Sequence, residues 1–221
     1  MRKRTLAVSL AGGLAASAVL RVVYRRAVRK RILDWGATAE EAARRIPGDE
    51  LLEDADIVAT RAITIDAPAS AVWPWLVQMG PERGGAYTYD WIENLLGLDI
   101  HSADRIHPEW QRLEVGDVQR VRKGGPGMRV ELLEPERLLS TRSEDGTWVW
   151  TFALDEEFGR TRLLSRNRIS LHGASLGGRA GMCVMEPGSL VMERKMLLGI
   201  KERAERLAAS AQGGLSPPVA Q

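Results

Sequence analysis

Cysteine occurs once in 221 residues, at Cys183, so no internal disulfide and no CxxC metal or redox pair can form. That usage fits a reducing compartment, and a lone cysteine without a His-Cys signature reads as a small apolar residue rather than a nucleophile. There is no GxSxG elbow, no internal repeat and no GK[ST] phosphate cradle; KGGPG at 123–127 is hairpin-turn chemistry between strands. Acidic residues are missing from residues 1–31, which carry nine Lys/Arg. The other 190 residues hold 22 basic and 29 acidic side chains, a net of −7. A body of that sign repels phosphate backbones, which argues against nucleic acid as a partner.

Long apolar runs are equally scarce. The single example, LAVSLAGGLAASAVL at 6–20, has no charge and spans roughly 22 Å as a helix. Continuing to Tyr24, with Arg21 snorkelling, extends it to about 28 Å, close to the ~30 Å hydrocarbon layer. A cleaved signal peptide ending at Ala16-Ser17-Ala18 would leave RVVYRRAVRKR at the new terminus, a run that opposes export. An interfacial helix would carry charges along one face, whereas here they sit at the ends. Residues 5–24 therefore predict a single membrane-spanning anchor, and the basic excess after it places the folded domain on the cytoplasmic side.

Four segments follow from this patterning: an anchor with basic flanks at 1–31, a connector at 32–57, a folded domain at 58–210 and a flexible tail at 211–221. In the connector, Thr38 and Glu41 form a capping box for a short helix that Pro47-Gly48 stops. In the domain, 58–65 reads as a strand and Pro68 opens a helix that Pro74 should kink or confine to its first turn. A second helix over 89–98 places Trp91, Leu95 and Leu98 on one apolar face. Strands are expected at 117–122, 128–133, 138–142, 147–154 and 161–171, with short turns that favour an antiparallel meander. Trp148, Trp150, Phe152 and Leu154 share one face of their strand. In the last strand Leu163, Ser165, Asn167 and Ile169 point inward, while Arg162, Arg166 and Arg168 face water. A closing helix is expected from Pro187, as its N1 residue, to Ser210. Its apolar stripe is Leu190, Leu197, Ile200, Ala204 and Leu207, and it is interrupted by Glu193. A carboxylate there needs a partner: either an arginine salt bridge or a ligand.

ITIDAPASAVWPWLVQMG, YDWIENLLGLDIHSADRIHPEW and VMERKMLLGIKERAE resemble the SRPBCC superfamily, which includes START lipid-transfer domains, the birch-pollen-allergen fold and polyketide cyclase/dehydrase proteins. More narrowly they are similar to its bacterial members with a hydrophobic N-terminus. The resemblance spans about residues 55–210. It implies an α+β helix-grip fold: an antiparallel sheet of about six or seven strands wrapped around a long C-terminal helix, with two short helices after strand one. Here an N-terminal transmembrane helix precedes it. It also implies an apolar internal cavity, whose uses in the superfamily range from carriage to cyclisation. No catalytic set of a relative maps residue by residue onto this chain.

Within that frame, Trp73, Tyr87, Tyr89, Trp110, Trp148, Trp150, Ser165, Asn167 and Glu193 are the candidate ligand-binding residues. Seven tryptophans against two phenylalanines suit a pocket for ring-bearing or amphiphilic molecules, and suit core packing equally. Asp90, Glu93 and Asn94 lie at i, i+3, i+4, an arrangement open to acid–base work but also to a plain solvated helix face. His101, Asp104 and His107 recur at three-residue intervals, but Pro108 biases His107 away from helical geometry, so neither a metal site nor a cofactor is expected. The expected function is membrane-tethered binding or transfer, in an internal cavity, of a hydrophobic or amphiphilic small molecule, a lipid or a polyketide-like compound. One alternative is a cyclase, dehydratase or hydrolase using Asp90, His101 or Glu193. Another is an interaction module with a filled interior.

Overall fold

A computed structural model of the chain describes residues 28–95, 97, 100–120 and 127–213. The expected membrane anchor at 5–24, Leu98, most of the KGGPG turn, the end of the tail and the side chains of Glu93 and Cys183 lie outside the described residues. Short helices α1 (Arg29–Leu33) and α2 (Ala39–Ala43) and a 3-10 turn (Asp49–Leu52) lead into β1 (Ile57–Ile65). Helices α3 (Ala69–Val77) and α4 (Asp90–Leu95) follow. Next come β2 (Val118–Arg120), β3 (Gly127–Glu134), β4 (Leu138–Ser143), β5 (Trp148–Glu157) and β6 (Arg160–Ile169), and α5 (Leu176–Gly213) closes the chain.

The six strands form one antiparallel sheet in the order β1-β6-β5-β4-β3-β2, the expected meander with the first strand returned to its open edge. A register shift between Val130 and Leu132 bends β3. α5 lies across the sheet, packed on α3 and β1. Leu197, Ile200 and Ala204 are buried together with Leu76, Phe152 and Leu163. The architecture is the expected α+β helix-grip.

Several expectations about the elements require correction. α3 runs through Pro74 rather than stopping in its first turn. Ser70, whose carbonyl loses its helical donor to that proline, is on the surface where water can serve it. Pro187 is not the first residue of the closing helix: α5 begins at Leu176, so the proline sits within it. The added turns put Met182 and Met185 on the wall of an internal cavity. In α4 the predicted faces are reversed. Trp91 and Leu95 are 67% and 80% exposed, while Asp90 accepts from the Ser102 amide at 2.9 Å and its hydroxyl at 2.6 Å. Asn94 accepts from the Ile100 amide at 2.6 Å. The polar face is used to hold the following loop, so the apolar face is left outside.

The arginine face of β6 is largely covered rather than open to water. Arg166 is 2% exposed. It donates to Thr60 Oγ1 at 2.9 Å, to Asp49 Oδ2 and the Arg44 carbonyl at 2.8 Å, and to the Glu41 carbonyl at 2.7 Å. Arg162 grips the Glu41 carboxylate and the Gly36 carbonyl, and Arg168 the Leu52 and Glu53 carbonyls. The segment read as a connector is therefore stapled over the outer sheet face. Ile46 packs there on Ala62, Leu138, Ala153 and Leu164. The Thr38–Glu41 capping box forms as expected. Gly48 passes so close that an added Cβ would stand 2.7 Å from both Ser140 Oγ and Thr151 Oγ1, with φ at +99°.

Candidate functional site

The inward face of the sheet is a register grid. Arg61 lies opposite Ser165, which lies opposite Phe152. One step along, Ala59 pairs with Asn167 and Asn167 with Trp150, which faces Thr141. Alternation along β1 puts Ile57, Ala59 and Arg61 on the same side, facing α5. Between sheet and helix lies a cavity of about 450 Å³, within the size range of small-molecule sites.

Its walls are apolar and soft. Trp148 and Trp150 stack with centroids 5.6 Å apart, and Phe152 continues the row at 4.9 Å from Trp150. Met79, Met128, Met182, Met185, Met192 and Met196 all line the cavity. They are every methionine of the chain except Met1. Unbranched thioether side chains re-pack around differently shaped guests at low cost. Met185 is also 61% exposed, so it marks where the cavity meets the surface.

Glu193 closes one end. Its carboxylate pairs with the Arg61 guanidinium, accepts from Ser165 Oγ at 2.7 Å and from Asn167 Nδ2 at 3.1 Å. Ser165 in turn accepts from the Trp150 indole at 2.9 Å, and Asn167 from the Trp148 indole at 2.8 Å. The network thus fixes the tilt of both tryptophans. Burial pushes the Glu193 carboxyl above its ordinary range, opposed by the Arg61 charge and the Ser165 hydroxyl. Arg61 also donates to the Ile32 carbonyl and to Ser189 Oγ at 3.0 Å, so it joins α1, β1 and α5 at one point. Nearby, Glu186 on α5 takes a bidentate hydrogen bond from Arg29 on α1, the shortest contact 2.7 Å.

Of the predicted ligand-binding residues, Trp148, Trp150, Asn167 and Glu193 line the cavity, and Ser165 stands one hydrogen bond behind it. The other four do not reach it. Trp73 packs on the outside of the core cluster. Trp110 stacks under His107 at 4.1 Å. Tyr89 lies beneath the Lys195 ammonium. Tyr87 is buried with φ at +56° and donates to the Trp75 carbonyl at 3.0 Å. The α5 backbone at Gly199 passes so near that a Cβ would be 2.6 Å from the Tyr87 carbonyl. Its phenol is pushed up to about 12 by burial. Tyr87 anchors the loop whose neighbours Ala86 and Thr88 do line the cavity.

Asp90 holds the Ser102 loop, and His101 is exposed. The His101, Asp104 and His107 trio is dispersed: Asp104 pairs with Arg203 of α5 at 2.9 Å, and His107 lies 3.1 Å from Glu109. Gln78 and Arg203 tie this loop to the body, through the Arg105 carbonyl at 3.1 Å and the Ala103 carbonyl at 2.8 Å. Sequence reasoning missed Arg61 and the methionines. Parity along IVATRAITI would have turned Arg61 inward, and Met182, Met185, Met192 and Met196 fall on one helical face at steps of three, seven and four.

No protein-family model matches the chain, and no curated protein matches it. Solved structures with similar folds include protein MLL2253 of Mesorhizobium loti, at 16% identity and TM-score 0.42, covering 68% of this chain and 98% of that one. The Polyketide_cyc-like protein Cgl2372 of Corynebacterium glutamicum is 16% identical with TM-score 0.35, covering 74% and 96%. The Aha1 protein of Colwellia psychrerythraea is 14% identical with TM-score 0.36, covering 67% and 96%.

Proposed function

We propose that the chain binds a hydrophobic or amphiphilic small molecule in this cavity and presents or transfers it at a membrane to which residues 5–24 tether it. One observation carries the reading: every methionine beyond Met1 converges with Trp148, Trp150 and Phe152 on one void. A filled interior, as an interaction module would have, is not what lies between sheet and helix. Among the described residues no helix is long and apolar enough to cross a membrane, so the tether rests on the segment before them. Catalysis in the same cavity is the second reading. It rests on Glu193 alone, because Asp90 and His101 do not line the void.

The test uses the full chain purified in lipid nanodiscs, extracted with organic solvent and analysed by mass spectrometry. Beside it stands Ala59→Trp, which fills the void from β1. A small molecule enriched over the nanodisc lipids in the wild type and absent from the variant is the expected result. Equal extracts from both would remove the binding reading. Release of the chain from membranes by carbonate would remove the tether.

A further inference from the structure

Helix α1 stands on the cavity wall. Its Arg29 holds Glu186, a wall residue of α5, at 2.7 Å. Its Leu33 packs with Ile57 and Ala59 against Met182, and all four line the void. Four residue steps separate Tyr24, where the apolar segment ends, from Val28, and an extended chain covers at most about 14 Å over them. If residues 5–24 span the bilayer, the wall beside α1 is leashed to its surface. Lys30 and Arg31 of α1 are exposed, cations of the sign that anionic head groups attract.

The cavity opens at this end of the domain. Met185, one helical step from Glu186, lines the void and is exposed as well. α4 is bounded by two further wall residues, Thr88 before it and Ile100 after it. Its polar side is spent on the following loop, and Trp91 and Leu95 are turned outward. Tryptophan is a side chain suited to the level of lipid head groups. Phe158, 94% exposed, gives the contrast. It follows Glu156 and Glu157 on the β5–β6 turn, and β5 runs ten residues from the wall at Trp148 to Glu157, about 33 Å. That distance exceeds the leash.

We infer that the domain docks this end, with Trp91, Leu95 and Met185, onto the same bilayer that tethers it; the inference rests on the tether reading above. The cavity then exchanges its occupant with its own membrane directly, and an apolar guest never crosses water, where its surface is costly to expose.

Nitroxide labels on the full chain in nanodiscs test this, with Cys183→Ser removing the native thiol. Trp91→Cys, Leu95→Cys and Phe158→Cys each carry one label at an exposed position, where substitution disturbs folding little. Power saturation compares collisions with oxygen, which concentrates in lipid, and with a water-soluble nickel chelate. Labels at 91 and 95 are expected to favour oxygen severalfold over the label at 158. Equal access of the chelate to all three positions, in chains that stay with the nanodiscs, overturns the docking and leaves the tether. Chains that leave the nanodiscs take the tether reading with them. Dipolar broadening between labels at 91 in discs holding two copies assigns the face to a second copy and overturns the inference. A second measurement needs no cysteine: lipids brominated on their acyl chains should quench the wild type more than Trp91→Phe, and equal quenching overturns the docking.

Discussion

Among the described residues, Arg61 and Glu193 are each other's only charged partners in an interior of methionine and aromatic side chains. Taking away one of two buried, paired charges costs more than the pair contributes, because the survivor stays desolvated. Glu193→Leu is therefore expected to lower unfolding stability by about 3–5 kcal/mol, while Arg61→Met combined with Glu193→Leu recovers most of that loss. Urea midpoints of the two variants and the wild type measure it; a double variant no more stable than the single one would show that the pair is not the unit. How this residue-scale arrangement reads in sequence differs side chain by side chain. Glu193 was legible because it interrupts an apolar stripe, and Ser165 and Asn167 because alternation turns them inward with Leu163. Met79 and Met128 were not: they come from a loop and a strand far apart in sequence, and only the folded sheet brings them to the same void as the methionines of α5.

At the scale of elements, the outer sheet face and α4 follow one rule: a polar face is buried when a neighbouring segment supplies its acceptors. Three arginines spaced along β6 suggested solvent, and the acceptors that bury them are mostly backbone carbonyls of residues 36–53, which leave no mark in sequence. Glu41 and Asp49 are the exceptions: Asp49 accepts from Arg166 at 2.8 Å, and Glu41 is a carboxylate clamped by Arg162 at 2.8 Å and by the Thr38 cap. The Arg162 hydrogen bond lowers its pKa from the ordinary 4.5 to about 2. A folded-state pKa below the unfolded one adds stability above the unfolded value and loses it as pH falls through the folded value. The stability gap between wild type and Glu41→Gln should thus be full at neutral pH, shrink from about pH 4.5 and vanish near pH 2. Carboxylates common to both proteins cancel in that difference. A gap that stays constant with pH would mean that Glu41 acts through packing rather than charge.

For the whole molecule, the grip has two sides. α5 and the cavity occupy one face of the sheet, with α1 beside α5 and bonded to Arg61 through the Ile32 carbonyl; α2 and the 3-10 turn cover the other face. A domain begun at residue 58 by its hydrophobic pattern would leave Ala62, Leu138, Ala153 and Leu164 uncovered and strip Arg166 of every acceptor but Thr60. A chain of residues 28–213 is therefore expected to be monomeric and to unfold in one cooperative step. A chain of 58–213 should aggregate or melt without a defined transition, as judged by size-exclusion chromatography and thermal circular dichroism. Gly48→Ala supplies the graded version within the full chain. Its Cβ would meet Ser140 and Thr151 at 2.7 Å on a backbone already in the left-handed region, a strain of about 1–3 kcal/mol. That substitution should weaken the outer cover while leaving the cavity wall in place, so stability falls while the full chain still retains its extractable small molecule. Should 58–213 instead match the longer chain in both assays, the arginine staple would be ornament and the fold would stand on its inner face alone.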